Sequence, residues 1–470
     1  MDIDPPAQVK VIFTTKEPDL LLPESKQQLL VPADVKRYGL SRILNSESML
    51  NTSAPIPLDF IANGTFLSTS ISEHLAAEGL SHETTITLEY ARSLVPPVYE
   101  ASFEHDDWVS AVDVLSPSAP VAAGADADER VASASYDGLV RVWDRSGNLV
   151  AVSPPSVASQ YRKRLDTMKW LSPKQLVSAG LEERITVWDY DKTDDGSVGS
   201  LKPRLELWGH DKRIHSLAVN ASTGRMLSSS EDGRLGLWSW SKQKAPPADP
   251  ECFAFTHFSK KGQIAAPKSA QRGPLAMVKL NDDSPISAAT FHHKDPTVAY
   301  WTSGDGTVRT IDLTTAKEVS RLATQHQFSC LAALPNSLVA AAGRLDNIVL
   351  LDPRESTATT TAMTLKGHVN WVSSLCPSPE NDYSLVSGSW DSTCRVWDLR
   401  RVDSDPSTGS GRRAIKPAYT IKRQWLEGKK LPEAGDGAKV LSVVWDKTWG
   451  IVSGGEDKKV QVNRGRNLLS

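Results

Sequence analysis

A twelve-residue pattern that recurs along the chain is the feature that most restricts its fold. The segment SASYDGLVRVWD, which ends at Asp144, returns three times in closely similar form, as SAGLEERITVWD ending at Asp189, SSSEDGRLGLWS ending at Ser239 and SGSWDSTCRVWD ending at Asp398. Weaker copies end at Asp312, Asp352 and Arg464. Most copies lie about 40 to 45 residues apart, which is the period of a four-stranded blade. The sequence therefore predicts an all-β array of seven blades.

Each copy has the local chemistry of a hairpin. Small residues precede an Asp-Gly turn or a relative of it, and a strand-like run such as VRV follows, as two antiparallel strands around a tight turn require. A histidine also stands four residues ahead of an apolar strand position before three of the copies, at His105, His210 and His368. These residues form a repeated set, not an isolated motif.

The set resembles the WD-repeat family over about Pro97 to Arg464, which implies a seven-bladed WD-repeat β-propeller. The resemblance also implies a hydrogen-bonded tetrad of His, Ser, Asp and Trp in each complete blade. The matching residues are His105, Ser133, Asp137 and Trp143; His210, Ser228, Asp232 and Trp238; and His368, Ser387, Asp391 and Trp397. Elsewhere the tetrad decays, since Glu182 replaces the turn Asp and Asp346 falls one place late. Ring closure in this family implies that a strand at Val98 to Phe103 completes the blade that ends near Arg464.

A His-Ser-Asp set also invites a catalytic interpretation. A hydrolase needs one exposed nucleophile and an oxyanion hole, whereas here the set repeats at fixed spacing and ends in a tryptophan. Buried polar groups must be paired wherever a blade is built, so repetition favours a structural role. The chain has no P-loop, HExxH, GxSxG or strand-associated GxGxxG motif, and its four cysteines lack metal-ligand spacing. We therefore expect a non-enzymatic protein without a cofactor or a metal site of its own.

The first 95 residues predict a separate, small α+β domain. Two strands, VKVIF and QLLVP, precede a helix over 35–44, an Asn-Gly hairpin, a short segment ISEHLAAEGL and a last strand TTITLEYAR. This order is similar to the β-grasp of ubiquitin, and the absence of Gly-Gly after Ser93 favours docking over conjugation. The propeller is assigned to residues 96–470, with insertions near 241–285 and 403–437 that are interpreted as irregular surface loops.

Bulk composition limits the class of partner. The formal net charge is −3, so the whole molecule lacks the basic surface that nucleic acid binding needs. Both insertions contain short basic clusters, and contact with RNA stays uncertain because such clusters are common on solvated surfaces. No run approaches the roughly 18 apolar residues of a membrane span, and the acidic start does not resemble a signal peptide. Protein partners in the nucleus or cytosol are expected.

A ubiquitin-like domain followed by WD repeats resembles the ribosome-biogenesis WD-repeat proteins of the PeBoW complex, which are sister to notchless. The resemblance implies work on pre-60S particles in the nucleolus and nucleoplasm, including pre-rRNA maturation. It implies a propeller that binds the block-of-proliferation WD-repeat subunit and, through it, pescadillo. It further implies that the N-terminal domain presents an acidic side chain to the metal-ion-dependent adhesion site of the AAA ATPase midasin. Glu83 matches that ligand, with Ser81 and His82 as neighbours at the interface.

Two alternatives stay open. On spacing alone, Glu83 is an ordinary solvated loop acid, as most glutamates in such loops are. The same domain order also fits a ubiquitin-pathway substrate adaptor, which predicts stable association with a ligase or the proteasome.

Overall fold

The structure is a computed structural model. It describes residues 7–52, 54–81, 83–122, 128–155, 163–193, 197–250, 269–279, 284–324, 326–354, 361–401 and 414–465. The chain divides into two compact units, and the main division falls between Pro96 and Pro97, one residue after the boundary that the sequence predicts; two short later segments, Arg400–Val402 and Gly465–Ser470, are grouped with the first unit. In the described residues, no helix is both long enough and apolar enough to cross a bilayer.

In its described residues, the first unit is a five-stranded mixed sheet with two helices. Its strands are β1 (Gln8–Thr14), β2 (Gln28–Pro32), β3 (Leu58–Ala62), β4 (Thr65–Phe66) and β5 (Ile86–Arg92), and its helices are α1 (Arg37–Leu44) and α2 (Ile71–Ala77). The order across the sheet is β2-β1-β5-β3-β4, with β1 and β5 parallel at the centre. This is the arrangement expected of a β-grasp.

Local chemistry sets where the two helices begin. Ser70 and Glu73 form a capping box, in which each side chain accepts a hydrogen bond from the backbone N–H of the other residue. Helix α1 begins at Arg37, two residues later than the sequence predicts, because Lys36 is extended and supplies no side-chain cap. Apolar residues on alternate positions of β1 and on the buried face of α1 belong to the same core of the unit. The packed residues include Val9, Val11, Phe13, Leu40 and Leu44.

The second unit contains, in its described residues, seven sheets of four or five strands. Blade 1 has β7 (Val109–Leu115), β8 (Arg130–Ser135), β9 (Val140–Trp143) and β10 (Leu149–Val152). Blade 2 has β11 (Leu165–Ser172), β12 (Gln175–Gly180), β13 (Ile185–Lys192) and β14 (Gly199–Leu207). Blade 3 has β15 (Ile214–Asn220), β16 (Arg225–Ser230), β17 (Arg234–Ser239) and β19 (Ala276–Lys279). Blade 4 has β20 (Ile286–Phe291), β21 (Val298–Ser303), β22 (Thr307–Asp312) and β23 (Lys317–Ala323).

The remaining blades follow the same plan. Blade 5 has β24 (Phe328–Ala333), β25 (Val339–Gly343), β26 (Asn347–Leu351) and β27 (Thr361–Lys366). Blade 6 has β28 (Val372–Pro377), β29 (Ser384–Ser389), β30 (Thr393–Asp398) and β32 (Tyr419–Lys422). Blade 7 has β33 (Val440–Asp446), β34 (Gly450–Gly455), β35 (Lys459–Gly465) and, from the start of the unit, β6 (Pro97–Glu104). Short 3-10 turns lie at Pro18–Leu20, Glu24–Lys26, Pro120–Ala122, Gln424–Leu426 and Glu433–Gly435.

The blades form a closed ring. The first strand of each blade contacts the first strand of the next, and β33 of blade 7 contacts β7 of blade 1. Blade 7 takes its outer strand, β6, from the other end of the unit, where the sequence places the closing strand. The predicted seven-bladed β-propeller is confirmed.

The two insertions differ from their prediction as irregular loops. Within 241–285, β19 is the outer strand of blade 3, and β18 (Ala270–Arg272) adds a fifth strand, parallel, to blade 2. Within 403–437, β32 is the outer strand of blade 6, and β31 (Ala414–Ile415) adds a parallel fifth strand to blade 5. Both segments thus complete one blade and extend its neighbour, because each outer blade edge offers unpaired backbone groups.

Candidate functional site

The loop between α2 and β5 carries the predicted docking residue. Gly79 ends α2 in the left-handed region, with φ of 70°, and Leu80 then returns a hydrogen bond to the carbonyl of Leu75 at 2.8 Å. The chain next makes a tight turn, in which the N–H of Thr84 donates to the carbonyl of Ser81 at 3.1 Å. Strand β5 begins two residues later, so the loop is anchored at both ends.

Ser81 and Glu83 are brought together in this turn. The backbone N–H of Glu83 donates to the Ser81 hydroxyl oxygen at 3.3 Å, and both residues are exposed. The Glu83 carboxylate has no hydrogen bond or ion pair with any residue that the structure describes. His82, the third predicted neighbour, lies outside the described residues. The Glu83 carboxylate is therefore free to act as an oxygen ligand to a hard divalent cation on another molecule.

The tetrads of blades 3 and 6 lie deep in their sheets. In blade 6, His368 Nδ1 is 2.8 Å from Asp391 Oδ2, and its Nε2 is 2.7 Å from the Ser387 hydroxyl. The indole N–H of Trp397 donates to the same Ser387 oxygen at 2.8 Å. In blade 3 the corresponding separations are 2.8, 2.6 and 2.7 Å, among His210, Asp232, Ser228 and Trp238.

Charge and burial explain why this set is structural although its order resembles a catalytic triad. Burial lowers the pKa of His368, while the Asp391 carboxyl partly opposes that effect. Burial alone would raise the pKa of Asp391, yet the hydrogen bond from His368 holds it below its ordinary value. A neutral imidazole that donates from Nδ1 and accepts at Nε2 satisfies all partners. Ser387 is fully buried and already hydrogen-bonded by Trp397, so no substrate reaches its hydroxyl.

Blade 1 departs from the predicted tetrad. His105 Nε2 is 2.7 Å from the Ser133 hydroxyl, and Trp143 donates to that oxygen at 2.8 Å. Asp137, however, forms an ion pair at 2.7 Å with Arg141, and His105 Nδ1 has no hydrogen-bond partner among the described residues. The fourfold set is therefore a triad here, and the Asp137 carboxylate is paired with a guanidinium and not with the imidazole.

Blade 2 keeps a pair that sequence reasoning missed. The Trp188 indole donates to Ser178 at 2.9 Å, although the blade lacks the turn Asp, and Glu182 pairs instead with Arg184. The signal was available in the sequence, because Ser and Trp are ten residues apart in blades 1, 2, 3 and 6 alike. That spacing places them side by side on adjacent strands of a hairpin.

The described residues contain no group of three His, Cys, Asp or Glu side chains that could hold a metal ion. Three of the cysteines are free; Cys330 and Cys394 are buried, and burial raises their pKa to about 12 and about 11. Such thiols are poor nucleophiles and poor metal ligands.

Comparison with known proteins supports the fold and the family. The model of the NLE (NUC135) domain matches residues 9–75, and that of the WD domain, G-beta repeat, matches residues 98–144, 201–239 and 359–398. The solved WD40 β-propeller domain of Doa1 aligns with a TM-score of 0.54 and 17% identity, covering 80% of this chain and 98% of that one. This likeness concerns the fold alone.

Curated relatives match over almost the whole chain. The ribosome biogenesis protein YTM1 of Chaetomium thermophilum is 52% identical, over 99% of this chain and 97% of its own length. The protein of the same name from Neurospora crassa is 50% identical, over 98% of each chain. Identity at this level over both units identifies the chain as a member of the family of the ribosome biogenesis protein YTM1.

Proposed function

We propose that this chain is a non-enzymatic scaffold of 60S ribosomal subunit biogenesis and pre-rRNA maturation, acting in the nucleolus and nucleoplasm. Its relatives carry the name of ribosome biogenesis proteins, which supports the process but names no partner. The propeller would bind the block-of-proliferation WD-repeat subunit and join pescadillo through it. The N-terminal unit would dock on the metal-ion-dependent adhesion site of midasin, so that ATP-driven pulling releases the factor from the pre-60S particle.

The observation that carries the docking proposal is the state of Glu83. Glu83 is exposed on a short turn, and its backbone N–H donates a hydrogen bond to the Ser81 hydroxyl, which helps to fix the backbone of that turn. An adhesion-site cation with an open coordination position needs such an unengaged oxygen ligand. Because a single monodentate carboxylate is easily replaced by water, the contact is suited to regulated release.

A binding assay with the full chain and the purified midasin adhesion-site domain tests the proposal. Glu83→Ala should weaken binding by about 2 kcal/mol or more, which is about 30-fold, because it leaves the partner's cation without its ligand. Glu83→Asp should weaken binding as well, because the shorter side chain withdraws the carboxylate. Chelation of the divalent cation should abolish binding of the unsubstituted chain.

Glu78→Ala provides the matched control, since Glu78 is another exposed glutamate of the same unit at the end of α2. The Glu78→Ala variant should bind midasin as tightly as the unsubstituted chain does. Both alanine variants should also unfold at the same temperature as the unsubstituted chain, because neither side chain is buried. Equal binding by the Glu83 and Glu78 variants would overturn the docking proposal.

The wider scaffold proposal has its own test. The full chain should co-sediment with pre-60S particles and co-purify with the block-of-proliferation subunit. Co-purification with ligase or proteasome subunits in place of pre-60S particles would instead favour the ubiquitin-pathway adaptor.

A further inference from the structure

Four side chains from three neighbouring blades form a continuous stack at the turns of the propeller. The guanidinium carbon of Arg344 lies 5.2 Å from the ring centroid of Trp371. Trp371 stacks on Trp390 with centroids 4.7 Å apart and an interplanar angle of 28°. The ammonium nitrogen of Lys439 lies 5.4 Å from the Trp390 ring. We call these residues the tryptophan stack.

Backbone contacts fix the position of the two rings. The N–H of Trp390 donates to the carbonyl of Trp371 at 2.8 Å, and the Asn370 side chain accepts from the N–H of Trp371 at 2.8 Å. Gly435 lies against Trp390 with φ of 72°, and a β-carbon there would lie 1.6 Å from the Trp390 carbonyl oxygen. The surrounding backbone therefore presents the pair preformed, which lowers the entropic cost of binding.

The stack has one open end and one closed end. Lys439 is neutralised by Asp436 at 2.7 Å and lies close to Glu456 at 3.7 Å. Arg344 is exposed and forms no ion pair with any described residue. Beside it, Trp371 is 38% exposed and Val369 is 77% exposed. A rigid tryptophan beside a free arginine is the composition of an interface hot spot, and Val369 adds exposed apolar surface two residues away.

The geometry points to an acidic, partly apolar segment of a partner protein as the occupant: we propose that a carboxylate of that segment pairs with Arg344, while an apolar side chain packs on Val369 and on the part of Trp371 that the stack leaves exposed. Aromatic ring edges and indole N–H groups carry partial positive charge, and neither indole N–H of the stack has a hydrogen-bond partner among the described residues. The open end thus combines a cation, ring edges and N–H donors, all of which favour an anion.

Single-stranded RNA fits this surface less well. Base stacking needs a free ring face, but Trp371 is covered by Arg344 on one side and Trp390 on the other. The far face of Trp390 is covered by Lys439. Phosphate binding also needs several unpaired cations, whereas only one end of the stack offers a free one, and the chain as a whole has a net charge of −3.

The test uses the full chain with labelled tryptophan indole nitrogens and three probes of twelve units. The first probe is a peptide of glutamate and leucine, the second is the same peptide with glutamine for glutamate, and the third is oligouridylate. The glutamate peptide should shift the indole N–H signals of Trp371 and Trp390, which Trp371→Phe and Trp390→Phe assign. The glutamine peptide and oligouridylate should leave these signals in place.

Substitutions then locate the contact. Arg344→Ala should weaken binding of the glutamate peptide about five- to tenfold, and Asp346→Asn, which removes a nearby exposed acid, should strengthen it. Lys212→Ala removes an exposed cation from the loop that precedes β15 in blade 3 and is the control, with no expected change. Glu83→Ala should also leave this binding unchanged, so failure here is distinct from failure of midasin docking.

Two results would overturn the proposal. One is an equal loss of binding in the Arg344 and Lys212 variants, which would indicate general attraction between charges. The other is a shift of the stack signals by oligouridylate but not by the glutamate peptide, which would assign the surface to RNA.

Discussion

His105 and His368 occupy equivalent positions in blades 1 and 6, but their Nδ1 atoms have different surroundings. His368 meets the carboxylate of Asp391, whereas the carboxylate expected beside His105 is paired with Arg141. Burial and the positive charge of Arg141 therefore lower the pKa of His105 to about 3 from an ordinary value of 6.5. Blade 6 has an arginine at the same position of its hairpin, but Arg395 lies 3.8 Å from Asp391, whereas Arg141 lies 2.7 Å from Asp137.

This depressed pKa predicts that acid destabilises the propeller well above the titration range of its carboxylates. Between pH 6.5 and about 3, the unfolded chain binds a proton on His105 that the folded chain does not. Protonation therefore stabilises the unfolded state relative to the folded state. The free energy of unfolding keeps its full value above pH 6.5 and decreases as the pH falls, by at most about 1.4 kcal/mol per pH unit for this group. Going from pH 7 to pH 5 should cost about 2 kcal/mol through His105.

Urea unfolding at the two pH values measures this contribution. His105→Gln should reduce the difference in unfolding free energy between pH 7 and pH 5 by about 2 kcal/mol, even if it lowers stability at both. His326→Gln, at an exposed histidine, should preserve the difference of the unsubstituted chain. An unchanged difference in the His105 variant would show that this residue does not titrate as its environment implies.

At the scale of elements, a segment within the second insertion provides the connection between blades 6 and 7. Arg423, directly after β32, is buried and donates to Asp457 through two nitrogens at 2.8 and 2.7 Å. It also donates to the Ser453 hydroxyl at 2.9 Å and to the Lys459 carbonyl at 2.7 Å. This one side chain thus bonds to both strands of the central hairpin in the next blade.

Loss of this connection should be costly. Arg423→Ala leaves Asp457 buried without its cation, so we expect a loss of about 3 to 5 kcal/mol in the free energy of unfolding. Arg423→Lys should recover little of it, because an ammonium cannot reproduce the planar, bidentate geometry. Arg204→Ala breaks a more exposed pair with Asp189 and should cost about 1 kcal/mol or less. Comparable losses at the two arginines, measured by urea unfolding, would contradict the connecting role.

Arg423 also shows where sequence reasoning stops at this scale. The central hairpins were predictable, because turn residues and small residues recur within a dozen positions of one another. The outer strands of blades 3 and 6 were not, because they pair across long insertions: Ala276 of β19 lies opposite Leu237, and Tyr419 of β32 opposite Val396. The sequence alone does not distinguish a buried arginine in a basic stretch, such as Arg423, from a solvent-exposed one. The exposed Glu83 loop, in contrast, was predictable in position, since it directly precedes a strongly patterned strand.

At the scale of the whole molecule, the two ends of the propeller meet in one sheet. Strand β6 enters blade 7 beside β35, and the His105 N–H that follows it donates to the Lys458 carbonyl at 2.8 Å. Phe103 on β6 is buried and stacks on Trp143 of blade 1 with centroids 5.4 Å apart. Gly147, which has a φ of 83°, lies close to the Phe103 ring, and a β-carbon at this glycine would come within 3.2 Å of that ring. Phe103 therefore joins blade 7 to blade 1 at the point where the ring closes.

No covalent link among the described residues closes the ring, so we expect its closure to depend on noncovalent contacts such as this one. Phe103→Ala should lower the free energy of unfolding by about 3 to 5 kcal/mol and should speed hydrogen exchange in β35 more than in the central strands of blade 4. Val98→Ala, at an exposed position on the same strand, should change stability by only about 0.5 kcal/mol. If Phe103→Ala increased the exchange rate equally in β35 and in blade 4, the ring would open as one unit, and β6 would not be the strand that controls closure. Faster exchange confined to blade 7 and its neighbours would instead show that closure is a local step, which holds an otherwise complete set of blades in a ring.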